Sequence, residues 1–331
     1  MFSVPRHPAV SRALLGLSIP LLAAGGCGGG GDGAPPAFLS LGTAPPGGAF
    51  FVVGGALAEV LGEAGLRVTP EATKGSGENI RRLASGELDF AVSNSAVTYF
   101  AARGEDGWGR PYPVQAVMTL APNVATFVSP RRHEVNRIED LAGKRVVVGV
   151  AGAGFEHFIR PIVEAHGVTY EDFIPLYNTQ AGAVDMLSDD SAAAAFLGGA
   201  VPTASIVQAT AGMDTLLVPL DPEIRSRLPE RYPFYREAVI PAGTYRGQDE
   251  DYLGLDVGSM HLITRADADE ETVYRATRAL WERRESVVEK HPAGRAINAN
   301  NASRNTGVAF HPGAVRFYRE AGMWPDSDPE L

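Results

Sequence analysis

Five runs of glycine, small and hydroxyl-bearing residues each follow a strand-like segment and open a helix-like one, at 42–48, 74–79, 93–95, 151–154 and 198–202. The chemistry available at such a junction comes from the backbone. The first turn of a helix leaves N–H groups without intrahelical partners, and the aligned peptide dipoles place a partial positive charge there. That combination suits a carboxylate. In open α/β sheets, ligands collect outside the carboxyl ends of the strands, where these loops fall. A single loop of this kind also serves as an ordinary turn. Their recurrence after strands points to a shared ligand cleft. No arginine lies in the first four loops, so backbone donors rather than a guanidinium fork would hold the anion. Ser76 and Asn79 also fit as caps of the helix they open, a role both residue types commonly fill.

The elements that must position these loops follow from periodicity. Phe38-Leu39-Ser40-Leu41 is strand-like, and Phe50, Val53, Leu57, Val60 and Leu61 then recur at helical spacing. Arg67–Ala72 reads as extended, Ser76–Ala84 as helix and Leu88–Val92 as strand, and Val97, Phe100 and Ala101 begin another helix. The style then repeats. Val124–Val128, Arg145–Val150, Phe173–Tyr177 and Ala192–Leu197 are strand patterns, with a helix through about His166 between the second and third. This alternation predicts an α/β protein with mostly parallel sheets. Thr272–Lys290 predicts one long helix, with Val273, Ala276, Leu280 and Val287 near one face.

Composition narrows the function classes. The 331 residues suggest about two domains. Net charge is −10 and no Lys/Arg-rich block occurs, which argues against a nucleic-acid binder. The run Gly149-Val150-Ala151-Gly152-Ala153-Gly154 is not G-x-G-x-x-G, and the chain has no G-x-x-x-x-G-K-[ST], no G-x-S-x-G and no H-E-x-x-H. Its histidines lack metal-ligand spacing, and Trp108, Trp281 and Trp324 read as packing residues. These patterns predict a binding protein with no cofactor and no metal, not an enzyme.

The N-terminus reads as an address. Arg6 and Arg12 give a positive start, Ala13–Ala24 is an apolar stretch too short to span a bilayer, and Gly25-Gly26 precede the lone Cys27. With one cysteine there is no intramolecular disulfide. Small residues before a single cysteine resemble a bacterial lipobox, with Ala24 where leucine is usual. The expectation is a signal peptide over 1–27, lipidation at Cys27 and a flexible Gly/Pro-rich tether over 28–36. The protein would then be exported and lipid-anchored, in the periplasm or on the outer face of the cytoplasmic membrane.

Several motifs resemble one transport family in order and spacing. Gly42-Thr43-Ala44-Pro45-Pro46-Gly47-Gly48-Ala49-Phe50-Phe51-Val52-Val53-Gly54 is similar to the first motif of TAXI solute-binding proteins of TRAP transporters, G-T-G-x-x-G-G-x-Y-Y-x-x-G. Thr73-Lys74-Gly75-Ser76-Gly77-Glu78-Asn79 resembles T-x-G-S-x-E-N, and Gly86-Glu87-Leu88-Asp89-Phe90-Ala91 resembles G-E-x-D-x-A. Asp140-Leu141-Ala142-Gly143-Lys144-Arg145-Val146 is like D-L-x-G-K-x-V, and Ile240-Pro241-Ala242-Gly243-Thr244-Tyr245 is like I-P-x-G-x-Y. The resemblance spans roughly residues 38–320, about the extent of one exported domain pair.

What the resemblance implies is a two-lobed α/β fold of the periplasmic binding protein type II-like kind, with a ligand cleft between the lobes. Residues 37–121 and 245–331 would form lobe I, and 122–244 lobe II. A small organic solute, expected to be a carboxylate, would be captured and passed to TRAP permease subunits. The alternative partner is a membrane sensor kinase to which the ligand is presented. The implied ligand set is Thr43, Ser76, Asn79 and Asn94 with the loop residues Gly47, Gly48, Gly152, Ala153, Gly154 and Gly199. The chain departs from the family at Phe50-Phe51, where a tyrosine pair is usual, and at Ser95, where an acid is usual. Gly152-Ala153-Gly154-Phe155 stands for Gly-Ser-Gly-Thr. These exchanges predict a ligand whose carboxylate sits near Gly47-Gly48 and Ser76–Asn79, and whose less polar part meets Phe50, Phe51 and Phe155.

Overall fold

Two β-sheets flanked by helices organise the chain in a computed structural model that describes residues 38–46 and 48–324. The first elements are β1 (Phe38–Gly42), α1 (Ala49–Glu63), β2 (Arg67–Glu71), α2 (Ser76–Ala84), β3 (Phe90–Asn94), α3 (Ser95–Arg103) and β4 (Val114–Thr119). β2, β1 and β3 run parallel, with α1 and α2 as the crossovers between them. α1 forms where the sequence expects it, because Val53, Leu57, Val60 and Leu61 share a stripe that buries with Leu41, Phe90 and Val92.

The chain then builds a second sheet. Its elements are β5 (Val124–Pro130), β6 (Arg145–Val147), α4 (Glu156–Ala165), β7 (Ile174–Leu176), α5 (Gln180–Ser188), β8 (Ala194–Gly199), α6 (Ala204–Gly212), β9 (Thr215–Leu217), α7 (Pro222–Arg231), β10 (Tyr235–Ile240) and β11 (Tyr252–Val257). The strand order is β10-β11-β5-β8-β6-β7, with β9 also on β5. The return segment adds β12 (Met260–Arg265), which inserts between β3 and β4, followed by α8 (Glu270–Glu282), α9 (Arg284–Lys290) and α10 (Pro312–Glu320).

Three expectations are corrected. The sheets are mixed rather than mostly parallel. Among the described residues, β1 with β2 and β3, and β6 with β7 and β8, pair in parallel; the other pairings are antiparallel. The reason is that β12 re-enters the first sheet from the opposite end, and β5 sits among returning neighbours in the second. The boundary expected at 244/245 moves, because β11 pairs with β10 and β5, so the second sheet runs on to Val257. The single helix expected over 272–290 breaks at Arg283, whose φ is −107° and ψ 22°. The break brings Val287 into the core that holds α1, and Lys290 pairs with Glu59 of α1 at 2.7 Å. The proposed signal segment, Cys27, the tether and Gly47 lie outside the described residues.

The two passages between sheets, 120–123 and 258–259, lie side by side. Leu120 N–H donates to Met260 O at 2.8 Å, Met260 N–H to Ala121 O at 2.8 Å, and Val257 N–H to Asn123 O at 2.9 Å. Buried Asp256 anchors this hinge, accepting Asn123 N–H at 3.0 Å and the Ser259 hydroxyl at 2.6 Å. Burial raises its carboxyl above the ordinary value, while these donors and the charge of Arg304 pull it back. Among the described residues, no helix is long and apolar enough to cross a membrane.

Candidate functional site

Between the two sheets lies a cleft of about 600 Å³, walled by the loops at the carboxyl ends of strands from both lobes. Lobe I contributes the β1–α1 loop, the loop before α2 and Asn94 at the end of β3; lobe II contributes Ala125, the β6–α4 loop, the start of α5 and the β8–α6 loop. Of the residues named from the sequence, Thr43, Gly48, Phe50, Ser76, Asn94, Ala153, Phe155 and Gly199 line this cleft.

Their side chains are mostly occupied. Thr43 Oγ1 donates to Glu71 O at 2.8 Å, and its carbonyl accepts from Thr73 Oγ1 at 3.0 Å. Asn94 caps α3 by accepting Ala96 N–H at 2.8 Å, and its Nδ2 donates to Gly258 O at 2.8 Å in the hinge. Gly258 must be glycine there. Its φ is +110°, and a Cβ would stand 2.3 Å from Asn94 Oδ1. Ser76 differs. Its oxygen accepts Asn94 N–H at 2.9 Å, while its own proton has no acceptor among the described residues and remains available to the cleft.

Among the described residues, the remaining named ones do not reach the wall. Asn79 is fully buried beneath it, donating to Thr43 O at 2.7 Å and Val92 O at 2.8 Å, so it fastens the loop rather than the ligand. Ser95 is buried in the first turn of α3, with its backbone N–H on Ser259 O at 3.0 Å. Phe51 lies on α1 away from the cleft, and Gly152 and Gly154 shape their loop from behind with φ of +76° and +92°. A Cβ at Gly154 would meet Val97 Cγ1 at 2.9 Å.

Several lining residues were not singled out from the sequence: Lys74, Thr179, Gln180, Phe158, Phe196 and His291. The strand at 173–177 was legible, and the rule that found the other loops applies to Asn178-Thr179-Gln180 after it. Gln180 works as a clamp. Its Nε2 donates to Gly198 O at 2.8 Å, and its Oε1 accepts from Ser205 Oγ at 2.6 Å. Phe158, Phe196 and His291 carry no local signal of a cleft.

The lobes meet beside the cleft. Gly77 N–H reaches Ala153 O at 3.4 Å. His157 Nδ1 lies 2.5 Å from Asp106 Oδ2, with its ring between Phe100 and Trp108. Burial works against the Asp106 carboxylate, yet its bond to His157 and the charges of His157 and Arg160 hold it below the ordinary value. A pair of side-by-side passages, two sheets and a cleft at their strand ends together make up a two-lobed hinge with a binding site at its centre.

That architecture is the periplasmic binding protein type II-like fold. A sequence profile of the NMT1-like family matches residues 41–322, and the chain belongs to that family. Among solved structures, a protein of Bordetella bronchiseptica RB50 has the same fold, with 14% identity over 88% of this chain and 91% of that one and a TM-score of 0.52. PhnD1 of Prochlorococcus marinus (MIT 9301), solved with methylphosphonate, is 12% identical over 87% of this chain and 100% of its own, with a TM-score of 0.49. The alkanesulfonate-binding protein SsuA of Xanthomonas axonopodis pv. citri, bound to MOPS, is 14% identical over 88% and 86%, with a TM-score of 0.42.

Proposed function

We propose that this chain is an exported solute-binding receptor that captures a small organic anion and delivers it to a TRAP-type membrane permease. The cleft carries the reading. Its walls come from both lobes, the lobes are joined by paired passages, and loop 151–154 meets α2 beside it, a contact that closure over a solute would keep. Family membership supports the receptor class. The TRAP assignment rests on the TAXI-like motifs at 42–54, 73–79, 86–91, 140–146 and 240–245. Export and a lipid anchor at Cys27 rest on the anatomy of residues 1–27.

The experiment is uptake of a labelled solute, chosen from what co-purifies with the protein, in the native cell with and without this gene. The expected result is gene-dependent uptake that stops when ionophores collapse ion gradients and survives ATP depletion. Gene-dependent uptake that follows ATP instead would reject the TRAP permease and keep the receptor. Uptake indifferent to the gene would reject the receptor.

A further inference from the structure

The chain holds 39 aspartates and glutamates, and among the described residues none lines the cleft. Among the described residues, Lys74 is the one lysine or arginine on its wall, and its ammonium has no ion-pair partner. His291, the other titratable side chain there, is held below its ordinary value by burial, and its Nδ1 already accepts Ala293 N–H at 3.1 Å. At neutral pH the wall therefore offers one cation and no group to pair with a second ligand charge. A charge closed into such a wall without a partner is strongly disfavoured.

Two further observations agree. Helices α1, α2 and α6 start at the cleft without a side-chain cap, and so does α4, whose N-cap residue Phe155 lines it. Of the helices that start away from it, α7, α8 and α10 are capped by Asp221, Asp269 and His311, and α9, which continues from α8 at Arg283, is not. Asn94 and Thr179, which cap α3 and α5, also reach the wall. Uncapped mouths leave donors for an anion where the loops do not take them, as Ala153 O takes Gly77 N–H, and Ser76, 8% exposed, adds its unassigned proton beside Lys74. The opposite wall is apolar. Phe155 meets Phe158 with ring centres 5.1 Å apart, Phe158 meets Phe196 at 5.9 Å, and Phe50 and Val52 close the space from lobe I.

We infer that the ligand is an amphipathic monoanion. One carboxylate is held at the mouths of α1 and α2 by Ser76 and Lys74, and an uncharged hydrocarbon or aryl body lies along Phe50, Phe155, Phe158 and Phe196. Diacids and zwitterionic amino acids are rejected, because the wall has no second cation for one and no anion for the other. This rests on the receptor reading above and narrows its ligand.

The test is calorimetric titration of the purified full-length protein with a matched set: butyrate, hexanoate and octanoate for length, suberate for a second carboxylate, octylamine for charge sign, and 2-aminooctanoate for a zwitterion. Affinity should rise about fourfold for each methylene buried. Suberate, octylamine and 2-aminooctanoate should bind at least about tenfold more weakly than octanoate. Lys74→Gln, an exposed change that leaves folding alone, should weaken octanoate about three- to tenfold at low salt and less at high salt. Phe155→Ser should cost octanoate more than butyrate, with circular dichroism checking that it folds. Suberate or 2-aminooctanoate binding as tightly as octanoate, or affinity flat with length, would overturn the inference and leave the receptor reading intact. Failure of the whole set while native mass spectrometry finds another retained solute would do the same. If nothing binds and nothing is retained, both readings fall.

Discussion

Gly77 lies in the first turn of α2, where lobe I touches lobe II. A Cβ placed there would stand 2.7 Å from Gly152 O and 3.3 Å from Arg81 Nη1. The arginine can swing away. The carbonyl belongs to a backbone loop, so Gly77→Ala must part the lobes by several tenths of an ångström. Gly77 N–H to Ala153 O is already 3.4 Å, and any separation takes it outside hydrogen-bonding range. Loss of that bond with the added steric conflict should destabilise the closed state by about 1–2 kcal/mol relative to the open one. Ligand affinity then falls roughly five- to thirtyfold. Alanine is also worth about 0.5–1 kcal/mol more than glycine inside a helix, and α2 exists whether the lobes are open or shut. Affinity should therefore drop while melting temperature holds or rises. Titration with octanoate, calorimetric melting and small-angle scattering for a larger radius of gyration would read the three quantities. Unchanged affinity and scattering, or a melting temperature that falls in step with affinity, would refute the reasoning.

Three further outcomes are expected. Asn79→Ala removes the clamp on Thr43 O and Val92 O and should cost about 1–3 kcal/mol of stability with or without ligand; an unchanged melting curve with weakened binding would instead restore it to the ligand set. Burial, with the charge of Arg304, pushes His261 down to about 3, so the folded state keeps it neutral while the unfolded chain takes up a proton below about pH 6.5. Stability should fall as pH drops from about 6.5 toward 3, and His261→Gln should flatten part of that slope, the rest coming from His291 and His311, which burial lowers in the same sense, and at the acid end from carboxylates held below their ordinary value, Asp106 among them; an identical slope in the variant would show that His261 is not its source. Cys27→Ser should abolish labelling by radioactive fatty acid and release the protein from the detergent phase, and equal labelling of both forms would reject lipidation.

What the sequence determined by itself is local. Glycine loops between strand and helix patterns located five segments, and residues from four of them, Gly48, Ser76, Asn94 and Ala153, line the cleft together with Gly199 from the fifth. The helix expected over Ser76–Ala84 has those bounds, because Gly75 at φ +118° can turn the chain into it and Ile80 and Leu83 then share one buried face. Loop chemistry and amphipathic period act over a few residues, so a linear reading finds them.

Only the tertiary structure decided what each residue does there. Ser76 and Asn79 stand three apart on one helix, yet one turn separates a cleft wall from a buried clamp. The carbonyls that Asn79 holds belong to residues 36 and 13 positions away, and no local pattern names them. Phe196 reads as one more core residue of a strand, and it is a cleft residue because the lobes face each other across it. Strand pairing is just as non-local. Nothing in Tyr252–Val257 states that it completes the second sheet, nor in Met260–Arg265 that it returns between β3 and β4. Those choices belong to whichever backbone edges the assembled core leaves unpaired, and buried N–H and C=O groups must find partners there.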